Sequence, residues 1–120
     1  MSLLTIADSF YIGVGDIAAA RTWYIDKLGL QVVSVDLDEP EGCITLGFSK
    51  NDQISIVLGP RQVERDQSTP MLYTSNPKKT REILIGKGVC VGELNRDRQG
   101  TDYFEIRDLE GNAIEISSEP

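Results

Sequence analysis

The side chains best placed to do chemistry in this sequence lie near its C-terminus. Asp108 to Asn112 reads as a tight turn between two strands, and a register symmetric about it sets Phe104 opposite Ile116 and Ile106 opposite Ile114. The same register places Glu105 across from Glu115 on the other face, with Tyr103 and Arg107 beside them. Like charges directly opposite destabilise a sheet, so two enclosed acids there require a cation, a shared proton or the Arg107 guanidinium close by. Two readings stand side by side. The glutamates are solvated at a domain rim, or they form a site in which Glu115, with Glu105, acts as general base or as acceptor for a basic ligand group. Near the other end of the chain, Tyr11 offers a ring that can stack or hydrogen-bond.

The most restrictive observation is an absence: the chain contains no histidine. Histidine is the commonest transition-metal ligand and the commonest general base near neutrality, so histidine-based triads, facial-triad iron sites and His-ligated zinc are all excluded. Catalysis here must use carboxylates, hydroxyls, thiols or lysine. Cys43 and Cys90 are isolated in apolar alternating segments and read as buried reduced thiols rather than as a bridge or a ligand pair. No cofactor is implied.

These groups are carried by a chain of 120 residues with 40% hydrophobic and 26% charged side chains, which suits one globular domain. Its net charge of −7 repels phosphate backbones and anionic lipid, which argues against nucleic acid as a partner. No apolar run approaches the roughly 20 residues of a membrane span. Met1 to Ile6 lacks the basic region and cleavage site of a secretory signal, so a cytoplasmic location is expected.

The elements repeat. Residues 10–14 alternate as a strand, Asp16 caps a helix whose Ile17, Ala20, Tyr24 and Leu28 share a face, and Gly29 stops it. Strands at 31–38, 43–49 and 53–58 follow, separated by turns at Glu39–Gly42 and Lys50–Asp52. After a polar connector over 59–70, Met71–Thr74 reads as a strand and Asn76–Pro77 opens a second helix that Gly88 ends. Strands at 89–94, 102–107 and 113–117 close the chain. Tyr24 reads as core and Trp23 as a sheet or subunit contact. The run Arg61 to Asp66 reads as a solvated connector or a lid, and Lys78, Lys79 and Arg81 as a solvated helix face. The pattern is an α+β domain of two βαβββ modules, module one at about 5–58, a linker at 59–70 and module two at about 71–118, repeating at roughly 55 residues. Two curved sheets with a helix on one face leave their other faces to curve around a cup.

Val14-Gly15-Asp16, Trp23-Tyr24, Leu28-Gly29-Leu30 and the C-terminal run from Asp108 to Ile116 resemble the vicinal oxygen chelate superfamily, which includes glyoxalase I, extradiol dioxygenases, and fosfomycin- and bleomycin-resistance proteins. The resemblance implies four metal-ligand positions. They fall on Ser9, on Ser55 or Val57, near Thr69, and on Glu115, which alone keeps a ligating side chain. Neutral hydroxyls bind zinc or iron far less well than imidazole or carboxylate. The expectation is therefore a metal-free small-molecule binding or sequestering protein, with Ser9, Tyr11, Ser55, Val57, Thr69, Tyr103, Glu105, Arg107 and Glu115 lining the cup. The alternative is a lyase or isomerase using Glu115 as base or as ligand to a weakly held divalent metal. The resemblance also implies a homodimer.

Overall fold

The computed structural model describes residues 4–6, 10–36, 43–48, 56–60 and 70–118. A two-residue strand β1 (Thr5–Ile6) precedes β2 (Phe10–Val14), in which Ile12 and Val14 are buried while Tyr11 and Gly13 point the other way. Asp16 is extended and accepts from the Ala19 amide at 3.0 Å, so α1 (Ile17–Leu28) begins capped. Ala20, Tyr24 and Leu28 form its buried stripe, and Gly29 ends it at φ 78°, a left-handed geometry that costs glycine little. Then come β3 (Gln31–Asp36), β4 (Cys43–Gly47) and β5 (Ile56–Pro60).

The second unit repeats this order. After β6 (Met71–Thr74), Asn76 accepts from the Lys79 amide at 3.1 Å, and Pro77 starts α2 (Pro77–Gly86), where its missing N–H costs nothing. β7 (Cys90–Val91), β8 (Asn95–Arg96), β9 (Asp102–Arg107) and β10 (Ala113–Ser118) follow. Two sheets result. One runs β2-β5-β4-β3, the other β1-β6-β10-β9-β7 with β8 also on β9. In each unit the first strand lies parallel to the last, which then pairs antiparallel with the one before it.

The repeat spacing is 60 residues over most of its length, not the 55 the sequence suggested. Ile12 answers to Leu72 and Ile44 to Phe104, each at the same place in its sheet, and the caps Asp16 and Asn76 keep that spacing. Tyr24 and Leu84, buried on the two helices, keep it too.

Other expectations shift locally. Gly59 and Pro60 belong to β5 rather than to a connector, because both pair with β2. Of the strand expected over 89–94 only Cys90–Val91 forms, and the chain pairs again at Asn95–Arg96, since Gly92, Glu93 and Leu94 lie between partners that are only three residues apart on β9, Ile106 and Tyr103. Such a bulge on an edge strand blunts its capacity to pair with another chain, and β3, the edge of the other sheet, carries a similar irregularity between Val32 and Ser34. Thr5–Ile6 joins the sheet of the second unit by pairing with β6. The turns at Glu39–Gly42 and Lys50–Asp52 and the run Arg61–Asp66 lie outside the described residues.

One apolar cluster unites the units: Ile12, Tyr24, Leu46 and Leu58 from the first, and Leu72, Leu84, Phe104 and Ile116 from the second, are all at most 4% exposed. Polar contacts tie the halves together. Lys27 on α1 donates to the Lys87 carbonyl at the end of α2, and Lys87 returns the contact to the Asp26 carbonyl. These two lysines are themselves 60 residues apart, so each cation stabilises the negative end of the other helix. The Glu110 carboxylate accepts from the Gly15 and Asp16 amides at 2.7 and 2.9 Å, while Asn112 reaches the Gly13 carbonyl.

Buried Tyr24 donates to Asp108 at 2.7 Å. Asp108 also accepts from the amides of Glu110 and Asn112 and from the Asn112 side chain, which satisfies both of its oxygens within the β9–β10 turn. Burial and the Asp108 carboxylate together push the Tyr24 phenol well above its usual range. Its ring meets Trp23 edge-on at 4.9 Å, and Trp23 is half-buried against the core.

Candidate functional site

The helix-free faces of the two sheets carry the candidate residues. β9 and β10 pair as the turn demands, with Phe104 opposite Ile116, Ile106 opposite Ile114 and Glu105 opposite Glu115. The four apolar side chains are fully buried against the helix side, which forces the glutamates onto the other face. Glu105 uses its carbonyl to accept from Gly92 at 2.7 Å, and Glu115 uses its amide to donate to Pro70 at 2.9 Å. The backbone groups of the two glutamates thus point away from each other. This makes them a non-hydrogen-bonded pair, the closer kind, with Cα atoms about 4.5 Å apart.

Arg107 resolves half of the resulting charge conflict. Its guanidinium sits 2.7 Å from Glu105, both side chains being about half exposed, and it also donates to the Gly111 carbonyl at 3.2 Å. An exposed ion pair of this kind contributes little to stability. Glu115 is half-buried, and among the described residues its carboxylate has no hydrogen-bonding or ionic partner. The arrangement is one ion-paired acid beside one acid that has no partner among the described residues.

The parallel registers identify which residues of the first unit correspond to this site. Tyr11 pairs with Val57 as Met71 pairs with Glu115, and Tyr11 and Met71 are 60 residues apart. Val57 is therefore the counterpart of Glu115 in the first unit. Thr45 lies across from Val57 and answers to Glu105, while Cys43 answers to Tyr103 and Gly47 to Arg107. The first unit presents a small, uncharged surface where the second presents acids, a guanidinium and a phenol.

Tyr11 is half-buried and its hydroxyl donates to the Pro60 carbonyl at 2.6 Å. Tyr103 is half-buried on β9. Ser9, Ser55 and Thr69 lie outside the described residues. Cys43 is half-buried, but Cys90 is exposed, contrary to the expectation of two buried thiols. Cys90 pairs with Arg107 on the helix-free side, while its neighbour Val91 pairs with buried Ile106. Arg81 also departs from expectation: it donates to the Gly92 carbonyl at 2.9 Å and braces the bulge instead of pointing into water.

The residue types do not fit a transition-metal centre. At the positions the resemblance implies for metal ligands, Val57 is aliphatic and Ser9 and Thr69 are hydroxyls in the sequence. Among the described residues no three Cys, Asp or Glu side chains gather as a metal site would need. Sequence reasoning did not single out Thr45, Gly59 and Glu110. Thr45 was within reach of a strict 60-residue spacing, which carries Glu105 back to it; the Glu110 contact is purely tertiary and has no local signature.

The sequence signature described as Glyoxalase/Bleomycin resistance protein/Dioxygenase superfamily matches residues 6–116, and the chain belongs to that superfamily. No curated protein sequence matches. Among solved structures, a superfamily member from Sphaerobacter thermophilus DSM 20745 has TM-score 0.78 at 21% identity, covering 93% of this chain and 96% of that one. TnmS3, an antibiotic binding protein from Streptomyces sp. CB03234, has TM-score 0.78 at 16% identity, with 94% and 95% covered. Lactoylglutathione lyase from Agrobacterium tumefaciens has TM-score 0.71 at 18% identity, with 93% and 92% covered. At these identities the likeness is one of fold.

Proposed function

We propose that this superfamily member is a metal-free small-molecule binding protein that sequesters its ligand against the helix-free faces of the two sheets. The observation carrying the reading is the correspondence of Val57 to Glu115 between the two units. A face that retains one carboxylate and replaces its counterpart with an aliphatic group has lost the means to chelate a transition metal, but it can still enclose an organic molecule. The fold shared with an antibiotic binding protein supports this reading. Ser9, Tyr11, Ser55, Val57, Thr69, Tyr103, Glu105, Arg107 and Glu115 are the proposed lining.

Functionally the protein is taken to be a homodimer, as the family resemblance implies, and light scattering in solution tests that. An exposed free thiol at Cys90 suits a reducing compartment, so the proposed location is the cytoplasm. Among the described residues no helix is long and apolar enough to cross a membrane.

A thermal-shift screen of small organic molecules tests the function. A ligand present at a hundred times its Kd stabilises by about 2.7 kcal/mol, and a family of related compounds producing such shifts is the expected result. Absence of any stabilising compound, together with turnover of a superfamily substrate, would overturn it.

A second reading, an isomerase or lyase with Glu115 as base, is favoured by one observation. Arg107 is engaged by Glu105, which leaves the Glu115 carboxylate available to take a proton. Loss of turnover in Glu115→Gln with ligand affinity retained would establish that reading.

A further inference from the structure

The geometry points to Tyr11 as a rigid stacking platform, and hence to a planar, conjugated ring as part of the ligand. This deepens the binding reading and rests on it. Tyr11, Gly59 and Cys43 sit on one face of three adjacent strands, β2, β5 and β4, in the order in which those strands pair. The Tyr11 side chain does not stand away from the sheet. It leans along β5 until its hydroxyl meets the Pro60 carbonyl at 2.6 Å.

Gly59 is what permits this. A methyl group at position 59 would collide with the Tyr11 hydroxyl oxygen, and would come within 2.9 Å of Cζ and 3.0 Å of the Cys43 Sγ. The ring therefore occupies the space where any other residue would place its β-carbon, packed against bare backbone.

Two consequences follow. The Tyr11 hydroxyl is engaged with Pro60, so recognition through this residue comes from the ring. The ring is fixed at both ends, by its own strand and by Pro60, and the residue as a whole is only half-buried. Holding an aromatic side chain in place before binding removes the ordering cost that a mobile one would incur. Offset stacking then favours a flat, unsaturated partner over a puckered one of the same size. The second unit has no such seat: Met71 stands where Tyr11 does, and Ser117, the counterpart of Gly59, carries a side chain. A ring seated on a glycine is thus a feature of the first unit's face.

The test uses 2-naphthol and its saturated analogue decahydro-2-naphthol, which share a hydroxyl and differ in planarity, with binding followed by proton NMR. The expected result is that 2-naphthol protons move upfield on binding, as protons lying over an aromatic ring do, and that the saturated analogue binds about tenfold more weakly. Tyr11→Phe should keep the upfield shift. Tyr11→Leu should abolish it and weaken 2-naphthol by about tenfold. Should Tyr11→Leu not fold, the wild-type shift and the difference between the two probes decide the matter without it. Equal binding of both probes without an upfield shift overturns the platform and leaves the binding reading intact. So does binding of neither probe when other compounds stabilise the protein thermally. Absence of any stabilising compound overturns both.

Discussion

Matched through their strand registers, the two units of this chain agree on one face and differ on the other. Toward the helices, Ile12, Ile44 and Leu58 of the first unit correspond to Leu72, Phe104 and Ile116 of the second, and all six are buried. Away from the helices, Thr45, Val57 and Cys43 correspond to Glu105, Glu115 and Tyr103. The helix-facing side must fill a shared core at close-packed density, which restricts it to apolar shapes. The opposite side is free of that demand, so its chemistry has diverged into one small, neutral surface and one acidic surface. Even the polar exception on the core side conforms: Thr74 and Thr80, standing where the first unit has Val14 and Ala20, satisfy each other through a buried 2.6 Å hydroxyl contact.

The difference between the faces predicts opposite outcomes for adjacent residues of β9. Phe104→Ala should cost about 3–5 kcal/mol in urea denaturation, whereas Glu105→Ala should stay within about 0.5 kcal/mol. Comparable losses at both positions would break the comparison. Next in size is the turn that joins the faces. Asp108→Ala removes the acceptor of four hydrogen bonds and should cost about 3 kcal/mol, with faster amide exchange at Glu110 and Asn112.

A pH series sharpens the same point. The folded chain holds the Tyr24 proton above the ordinary phenol value of 10.0, because the ring is buried and faces the Asp108 carboxylate. The unfolded chain releases that proton near its ordinary value. From there upward the folded state binds more protons than the unfolded one, so raising pH favours unfolding. This contribution is fully present below about pH 10 and should fall by about 1.4 kcal/mol per pH unit above it. Tyr24→Phe should remove that slope, as measured by denaturation from pH 9 to 11. The smallest effect belongs to the acidic face. Glu115→Gln relieves the like-charge pair and should raise stability by about 0.2–1 kcal/mol.

The division between the faces also explains what could be read from the sequence. Both helices were legible because their caps are local: Asp16 with Gly29, and Asn76 with Pro77, act within a single turn. The register of β9 on β10 was legible because a short turn fixes it. The break between β7 and β8 was hidden, since Val89 to Leu94 alternates acceptably and only the pairing to β9 shows that Gly92 to Leu94 bulge out. Tyr11 could be assigned to the helix-free face by parity, but its lean over Gly59 depends on β5 lying beside β2, a contact between residues 48 apart in the chain. The polar contacts between units, from Glu110 to Gly15 and from Lys27 to Lys87, likewise join residues that no local pattern connects.

Glu115 of the second unit corresponds to Val57 of the first, an aliphatic side chain that offers no metal ligand. Elemental analysis of the protein purified without chelator, alongside a Glu115→Ala variant, tests the metal-free reading most directly. Well under one equivalent of any transition metal is expected in both proteins. One full equivalent in the wild type, lost in Glu115→Ala, would contradict it.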